Sequence, residues 1–163
     1  MHRPLPSLSF RAFERADLAL LGPWLADSGL SVPALGPDQM ARRLTQDPGI
    51  LCVTACDVTA GPIGFMRLDL SPDHAAELTL IVAPSHHRRG VGRALVEHGI
   101  GLARERGWQR LWVLVRSENV PAQRLFETLG FERASSPLHG YVHLLRLVHR
   151  RPSGMVAPLE IAP

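Results

Sequence analysis

Between Glu77 and Phe131 an apolar strand-like run, ELTLIVAP, passes into a basic glycine loop, HHRRGVG. An amphipathic helical stretch follows, then a second apolar run, LWVLV, and the segment SENVPAQRLFETLGF. A glycine-rich turn between a strand and a helix builds an anion pocket, because the first N–H groups of the helix have no internal partner and point outward. The arginines of the loop add mobile positive charge to that fixed geometry. This order of elements is that of a mixed α/β domain built to hold a polyphosphate-bearing cofactor.

The chain has 163 residues, enough for one domain with one real core, and carries a formal charge of +3. Every basic side chain other than histidine is arginine, and lysine is absent. Arginine stays charged and grips phosphate with two donors, yet no long basic run or aromatic-interleaved patch marks a nucleic-acid surface. No segment approaches the roughly 20 apolar residues of a membrane helix, and the first residues, MHRPLPSLSF, lack the apolar centre of an export signal. A cytoplasmic protein with no membrane partner is expected. Cys52 and Cys56 match neither CxxC nor a zinc pattern and read as small strand hydrophobes. The eight histidines form no ligand grouping, so no metal is expected.

Along the chain, SFRAF alternates like a first strand, and residues 14–29 carry Leu18, Leu21 and Leu25 at helical spacing. Pro23 argues against one straight helix there. A second helix is expected over Pro37–Gln46. ILCVTAC and IGFMRLDL, joined by DVTAGP, read as a hairpin. Then come a strand over Glu77–Val82, a helix over Gly90–Arg106 and a strand over Leu111–Val115. In the helix, Val91, Leu95, Gly99 and Leu102 make one apolar stripe. A helix over Pro121–Leu129 starts at a first-turn proline and stops at Gly130, and Phe131–Arg133 and Tyr141–Leu147 read as closing strands. The domain spans 1–150, and 151–163 is a proline-punctuated tail.

By itself the spacing HRRGVG is a weak signal. Together with NVPAQRLFETLGF, one helix and one strand further on, it makes the chain resemble the GNAT superfamily of acyl-CoA-dependent N-acetyltransferases. The resemblance covers residues 8–149 and is strongest over 77–131. It implies a single-domain fold with a mixed, mostly antiparallel sheet of about seven strands, splayed between the fourth and fifth and flanked by about four helices. It implies acetyl-CoA as co-substrate, with the main chain of Leu80, Ile81 and Val82 pairing with the pantetheine arm. The loop His87, Arg88, Arg89, Gly90, Val91, Gly92 and Arg93 would cradle the pyrophosphate. One departure is His87, where relatives carry Gln or Arg. Asn119 would bond the pantetheine arm or cap its helix, Ala122 would leave room for the cofactor, and Phe126 would border it.

The reaction so implied is attack of a primary amine on a thioester, within a ternary complex. The amine must be neutral to attack, and the departing thiolate needs a proton or a donor. Relatives often supply that proton from a tyrosine at the position of Phe126, which has none to give. Tyr141, the single tyrosine, is the candidate substitute, with solvent as the alternative, since a thiol of pKa about 8.5 leaves without much help. Glu77 is the candidate general base; relatives with a fifth-strand carboxylate would place it at Leu114. His74 and Glu118 are weaker candidates.

Acceptor pockets in such folds are made by the first two helices and the loop between the last two strands, here 23–40 and 134–141. Their scarce carboxylates, Asp27 and Asp38 in the first, point to a small-molecule or peptide amine rather than a polycation. A homodimer follows from the family's habit. The competing reading is an inactive acyl-CoA-binding sensor or partner-binding module. A third, suggested by the arginines, is an acetyltransferase of charged tRNA or of a ribosomal protein.

Overall fold

The computed structural model describes residues 7–28, 35–136 and 138–148, with the backbone alone at 26–28. The tail over 151–163 lies outside the described residues. In chain order the elements are β1 (Leu8–Ala12), α1 (Leu18–Ser28), α2 (Pro37–Gln46), β2 (Ile50–Asp57), β3 (Gly61–Ser71), β4 (Ala75–Val82), α3 (Val91–Glu105), β5 (Arg110–Arg116), α4 (Val120–Thr128), β6 (Glu132–Ala134) and β7 (Tyr141–Leu147). Short 3-10 turns over Arg15–Asp17 and Pro84–His86 precede α1 and follow β4. The strands form one sheet in the order β1-β2-β3-β4-β5-β7-β6. Every pairing is antiparallel except β4 with β5. The expected sheet of seven strands with four helices is the observed fold.

Local chemistry sets the elements. The β2–β3 turn is tied by the Asp57 carboxylate, which accepts bonds from the Thr59 N–H and hydroxyl and the Ala60 N–H. Helix α1 runs through Pro23 instead of breaking. The missing N–H would have bonded the carbonyl of Ala19, an exposed residue, so water can satisfy that group. Phe131 joins the core rather than β6, its ring packed edge-on against Phe126 at 5.1 Å.

Two layers cover the sheet. On one face α3 and α4 pack Val91, Leu95, Val96, Ile100 and Phe126 over Met66, Leu68, Leu78 and Leu111. On the other, α1 and α2 set Leu21 and Leu44 over Cys52, Phe65 and Ile81. Helix α3 lies close because Gly99 has no side chain: a Cβ there would meet the Met66 Sδ at 2.7 Å.

The layer of α1 and α2 is pinned by Asp17, only 3% exposed. Its carboxylate takes two 2.7 Å bonds from the Arg11 guanidinium, one of 2.8 Å from the Thr54 hydroxyl and one of 2.9 Å from the Glu14 N–H. Burial alone would raise its pKa, but the bonds from Arg11, Glu14 and Thr54 outweigh burial and hold it below the ordinary carboxylate value. We expect Asp17→Ala to cost about 3 kcal/mol of unfolding free energy in urea at neutral pH, since a partly buried arginine loses its partner. The group's folded pKa is depressed, so its contribution is present above the unfolded value of about 3.9 and is lost as pH falls below it. The variant's stability should accordingly change less than the wild type's on acidification.

Candidate active site

The parallel pairing of β4 with β5 is short: Ala75, Ala76 and Glu77 face Arg110, Leu111 and Trp112, and there the register ends. Beyond it the strands diverge. On its other side β4 stays paired with β3 as far as Val82. The Ala83 N–H bonds the Ile63 carbonyl. Main-chain direction alternates along a strand, so Ile81 and Thr79 also turn their N–H and C=O towards β3. Leu80 and Val82 turn theirs into the gap. Ile81 therefore reaches the gap by its side chain alone, because its main chain is bonded to Phe65 across the pair.

Around that gap lies a cleft of about 510 Å³, lined among others by Leu80, Val82, Val113, Ala122, Leu125 and Phe126. Its upper end is the loop 83–90. Arg88 and Gly90 hold positive φ, 56° and 80°. Gly90 is the N-cap residue of α3 and supplies no side-chain cap, so the N–H groups of Val91, Gly92 and Arg93 are open at the positive end of a 15-residue helix without acidic residues in its first turn. The ring of His87 bonds the Val82 carbonyl at 2.8 Å. A carbonyl only accepts, so Nε2–H is the donor, and the ring fastens the loop to the end of β4. Replacing His87 by Ala should free the loop and weaken acetyl-CoA binding by about threefold to tenfold in calorimetry, the loss of one hydrogen bond.

A diphosphate-bearing thioester fits this donor set. The Nε atom of Arg89 is buried and has no hydrogen-bond partner, which a native fold rarely tolerates without a ligand or water. Gly92 keeps the helix start open towards Leu80, Val82 and Leu125. Asn119 caps α4, its Oδ1 accepting from the Ala122 N–H at 3.2 Å. Arg93 pairs with Glu97 at 3.1 Å on the exposed side of α3. Among the described residues no group of three or more His, Cys, Asp or Glu could hold a metal, and no helix is long and apolar enough to cross a membrane.

Next to the cleft, under α1 and α2, lies a second cavity of about 890 Å³, and Glu77, Thr79 and Ile81 line both. Glu77 thus sits at the junction. Burial, and then the carboxylate of Asp69 opposite it on β3, push its pKa up, while Arg67 and His143 oppose the shift. A carboxylate so placed is a better proton acceptor than an exposed one. Tyr141 is half-buried at the start of β7, opposite Arg116, and lines the cleft. Phe126, 3% exposed, lines the cleft with a ring that has no hydroxyl to donate. Leu114 lies opposite His143. His74 sits in the β3–β4 turn with its carbonyl bonded by Gln109 and Arg110, at the strand end away from the opening. Glu118 pairs with Arg116 on the surface. Cys52 borders the second cavity, but burial pushes its thiol up to about 12, so it stays neutral.

Three participants escape a linear reading. Gln123, 4% exposed, donates to the carbonyls of Arg116 and Ser117 and accepts from Arg133, holding the β5–α4 turn in place. His143 packs edge-on to Trp112 at 5.5 Å, and its Nδ1–H donates to the Ser135 carbonyl. Arg67 binds Asp69 at 2.7 Å on the floor of the second cavity. The one available signal was the polar residue in a helix stripe at Gln123; the others depend on strand partners that sequence does not name.

Residues 22–131 match the family model described as acetyltransferase (GNAT) family. The ribosomal protein bS18-alanine N-acetyltransferase of Escherichia coli K12 is 43% identical over 63 residues, 39% of this chain and 43% of that protein's length. The match thus spans less than half of that relative. Streptothricin acetyltransferase of Streptomyces lavendulae is 44% identical over 50 residues, 31% of this chain and 26% of that protein. Among solved structures, a mutant form of the spermidine/spermine N-acetyltransferase of Vibrio cholerae superposes with a TM-score of 0.75 at 22% identity, covering 86% of this chain and 94% of that one. The ribosomal-protein-S18-alanine N-acetyltransferase of Escherichia coli does so at 0.72 and 24%, covering 91% and 98%. At such identities the structural likeness speaks for the fold.

Proposed function

Since this chain belongs to the GNAT acetyltransferase family, we propose that it transfers an acetyl group from acetyl-CoA to a primary amine of a small molecule or peptide. One observation carries this: the unpaired edge of β4 lines a cleft together with Pro84 and His87 of the loop before α3, Gly92 at the start of that helix stands against the cleft-lining Leu80, Val82 and Leu125, and the cleft adjoins a second cavity at Glu77. Bound acetyl-CoA supplies a thioester carbonyl as electrophile. The chain does the rest.

The N–H groups of Val91, Gly92 and Arg93, with Arg88 and Arg89, hold the diphosphate. The N–H groups of Leu80 and Val82 and the Leu80 carbonyl take the pantetheine arm as an added strand would. Glu77 accepts the proton of the incoming ammonium, directly or through water, so that the amine can attack. The C–N bond forms, the C–S bond breaks, and the electron pair leaves on sulfur. Tyr141 or solvent gives the thiolate its proton. Holding the two reactants together can lower the barrier by up to about 7–11 kcal/mol, which is why a weak acid suffices where Phe126 replaces a donor.

Thiol release from acetyl-CoA across a panel of amines tests the proposal. Release that requires both protein and amine supports it. Calorimetric binding of acetyl-CoA with no release on any amine would favour the binding module instead.

A further inference from the structure

The chemistry of the second cavity narrows the acceptor. Its wall is apolar, formed by Leu21, Leu25, Met40, Leu44, Phe65 and Ile81, and the charged side chains that line it, among the described residues, are Arg67 and Glu77. Both stand on one face of the sheet: Arg67 is opposite Thr79 and Asp69 is opposite Glu77, so Arg67 and Glu77 are diagonal neighbours, a spacing of about 7–8 Å between backbones. Arg67 uses Nε to bind Asp69. Its two terminal nitrogens bond no described residue, and they form the half of the guanidinium fork that suits a carboxylate.

Resting on the transferase reading above, we propose that the acceptor is an α-amino acid with a large apolar side chain, its amine presented at Glu77 and its carboxylate held by Arg67. The side chain lies among Leu21, Met40, Leu44 and Phe65. Zwitterion and wall match term by term: a negative group beside the amine, a positive one beside the carboxylate, and hydrocarbon elsewhere. A polyamine does not match, because its second ammonium would meet either the Arg67 charge or an apolar surface without a counter-ion. The acetyl transfer itself is the one already described, with the α-amine as nucleophile and coenzyme A thiol as leaving group.

The test compares initial rates of thiol release with L-phenylalanine and L-methionine, their amides, phenethylamine and spermidine, alongside calorimetric binding of acetyl-CoA. The free acids should exceed the amides and phenethylamine in kcat/KM by about tenfold or more, the worth of a charge-assisted contact, with spermidine slowest. Arg67→Gln should raise KM for the acids about tenfold more than KM for the amides, while any change that comes through Glu77 should fall on both alike. Free acids that are not acetylated, or are used no better than amides or spermidine, overturn this inference whatever the other amines do. An Arg67→Gln effect that falls equally on acid and amide also overturns it. Failure of acetyl-CoA to bind overturns instead the transferase reading beneath it.

Discussion

Gly92→Glu should weaken acetyl-CoA binding by about 100-fold, or about 2.7 kcal/mol, without unfolding the protein. A Cβ on Gly92 would stand 3.4 Å from the Leu125 Cδ2, 3.6 Å from the Leu80 Cδ2 and 3.8 Å from the Val82 Cγ2. These are ordinary contacts, so the fold accepts the first carbon. The remaining atoms have to run between side chains that line the cleft. Its carboxylate would also sit in the first turn of α3, where the helix field favours an anion. That placement steadies the helix while occupying the field meant for a diphosphate. Gly92→Ala is the control: it adds the Cβ alone and should change affinity by less than about threefold. Calorimetry and a thermal melt on both variants separate the two effects. Equal binding by wild type and Gly92→Glu would remove the diphosphate from this turn.

Glu77→Gln should lower turnover by about 100-fold at neutral pH, the lower end of general-base contributions, and leave acetyl-CoA affinity unchanged. Burial and Asp69 raise the pKa of Glu77, so the acidic limb of kcat/KM in the wild type should lie above the ordinary glutamate value of about 4.3. In the variant that limb should vanish. Stability moves the other way. A carboxyl whose folded pKa is raised gives stability that is complete below the unfolded pKa and is lost as pH rises through the folded one. At neutral pH Glu77 is therefore a cost to the fold, and Glu77→Gln should melt no lower than wild type. Lost turnover with retained melting would mark a chemical role; retention of most of the activity would pass the role of base to another group, with His143 next in position.

Much of the fold was legible because it is local. The i, i+3, i+4 stripes and terminal proline of α2 and α4, and the alternation of β1, are written within single elements. Pro23 misled, since the penalty for a missing N–H depends on whether the stranded carbonyl reaches water, which no pattern reveals. The divergence of β4 from β5 was an expectation from family resemblance; periodicity says nothing of where two parallel strands part. Within the site, the glycine loop announced itself. The direction of each main-chain group of β4 did not, because it follows from the register with β3, and that register turns Ile81 away while opening Leu80 and Val82. His87 on the Val82 carbonyl, His143 beside Glu77 and Arg67 on Asp69 are likewise products of pairing across strands.

Amide hydrogen exchange along β4, with and without acetyl-CoA, puts the central claim to its most direct trial. The N–H groups of Leu80 and Val82 should slow strongly on addition of the thioester, while those of Thr79 and Ile81, already bonded to β3, should scarcely change. Protection that skips Leu80 and Val82, or that falls evenly on all four, would contradict the cleft as the seat of the cofactor.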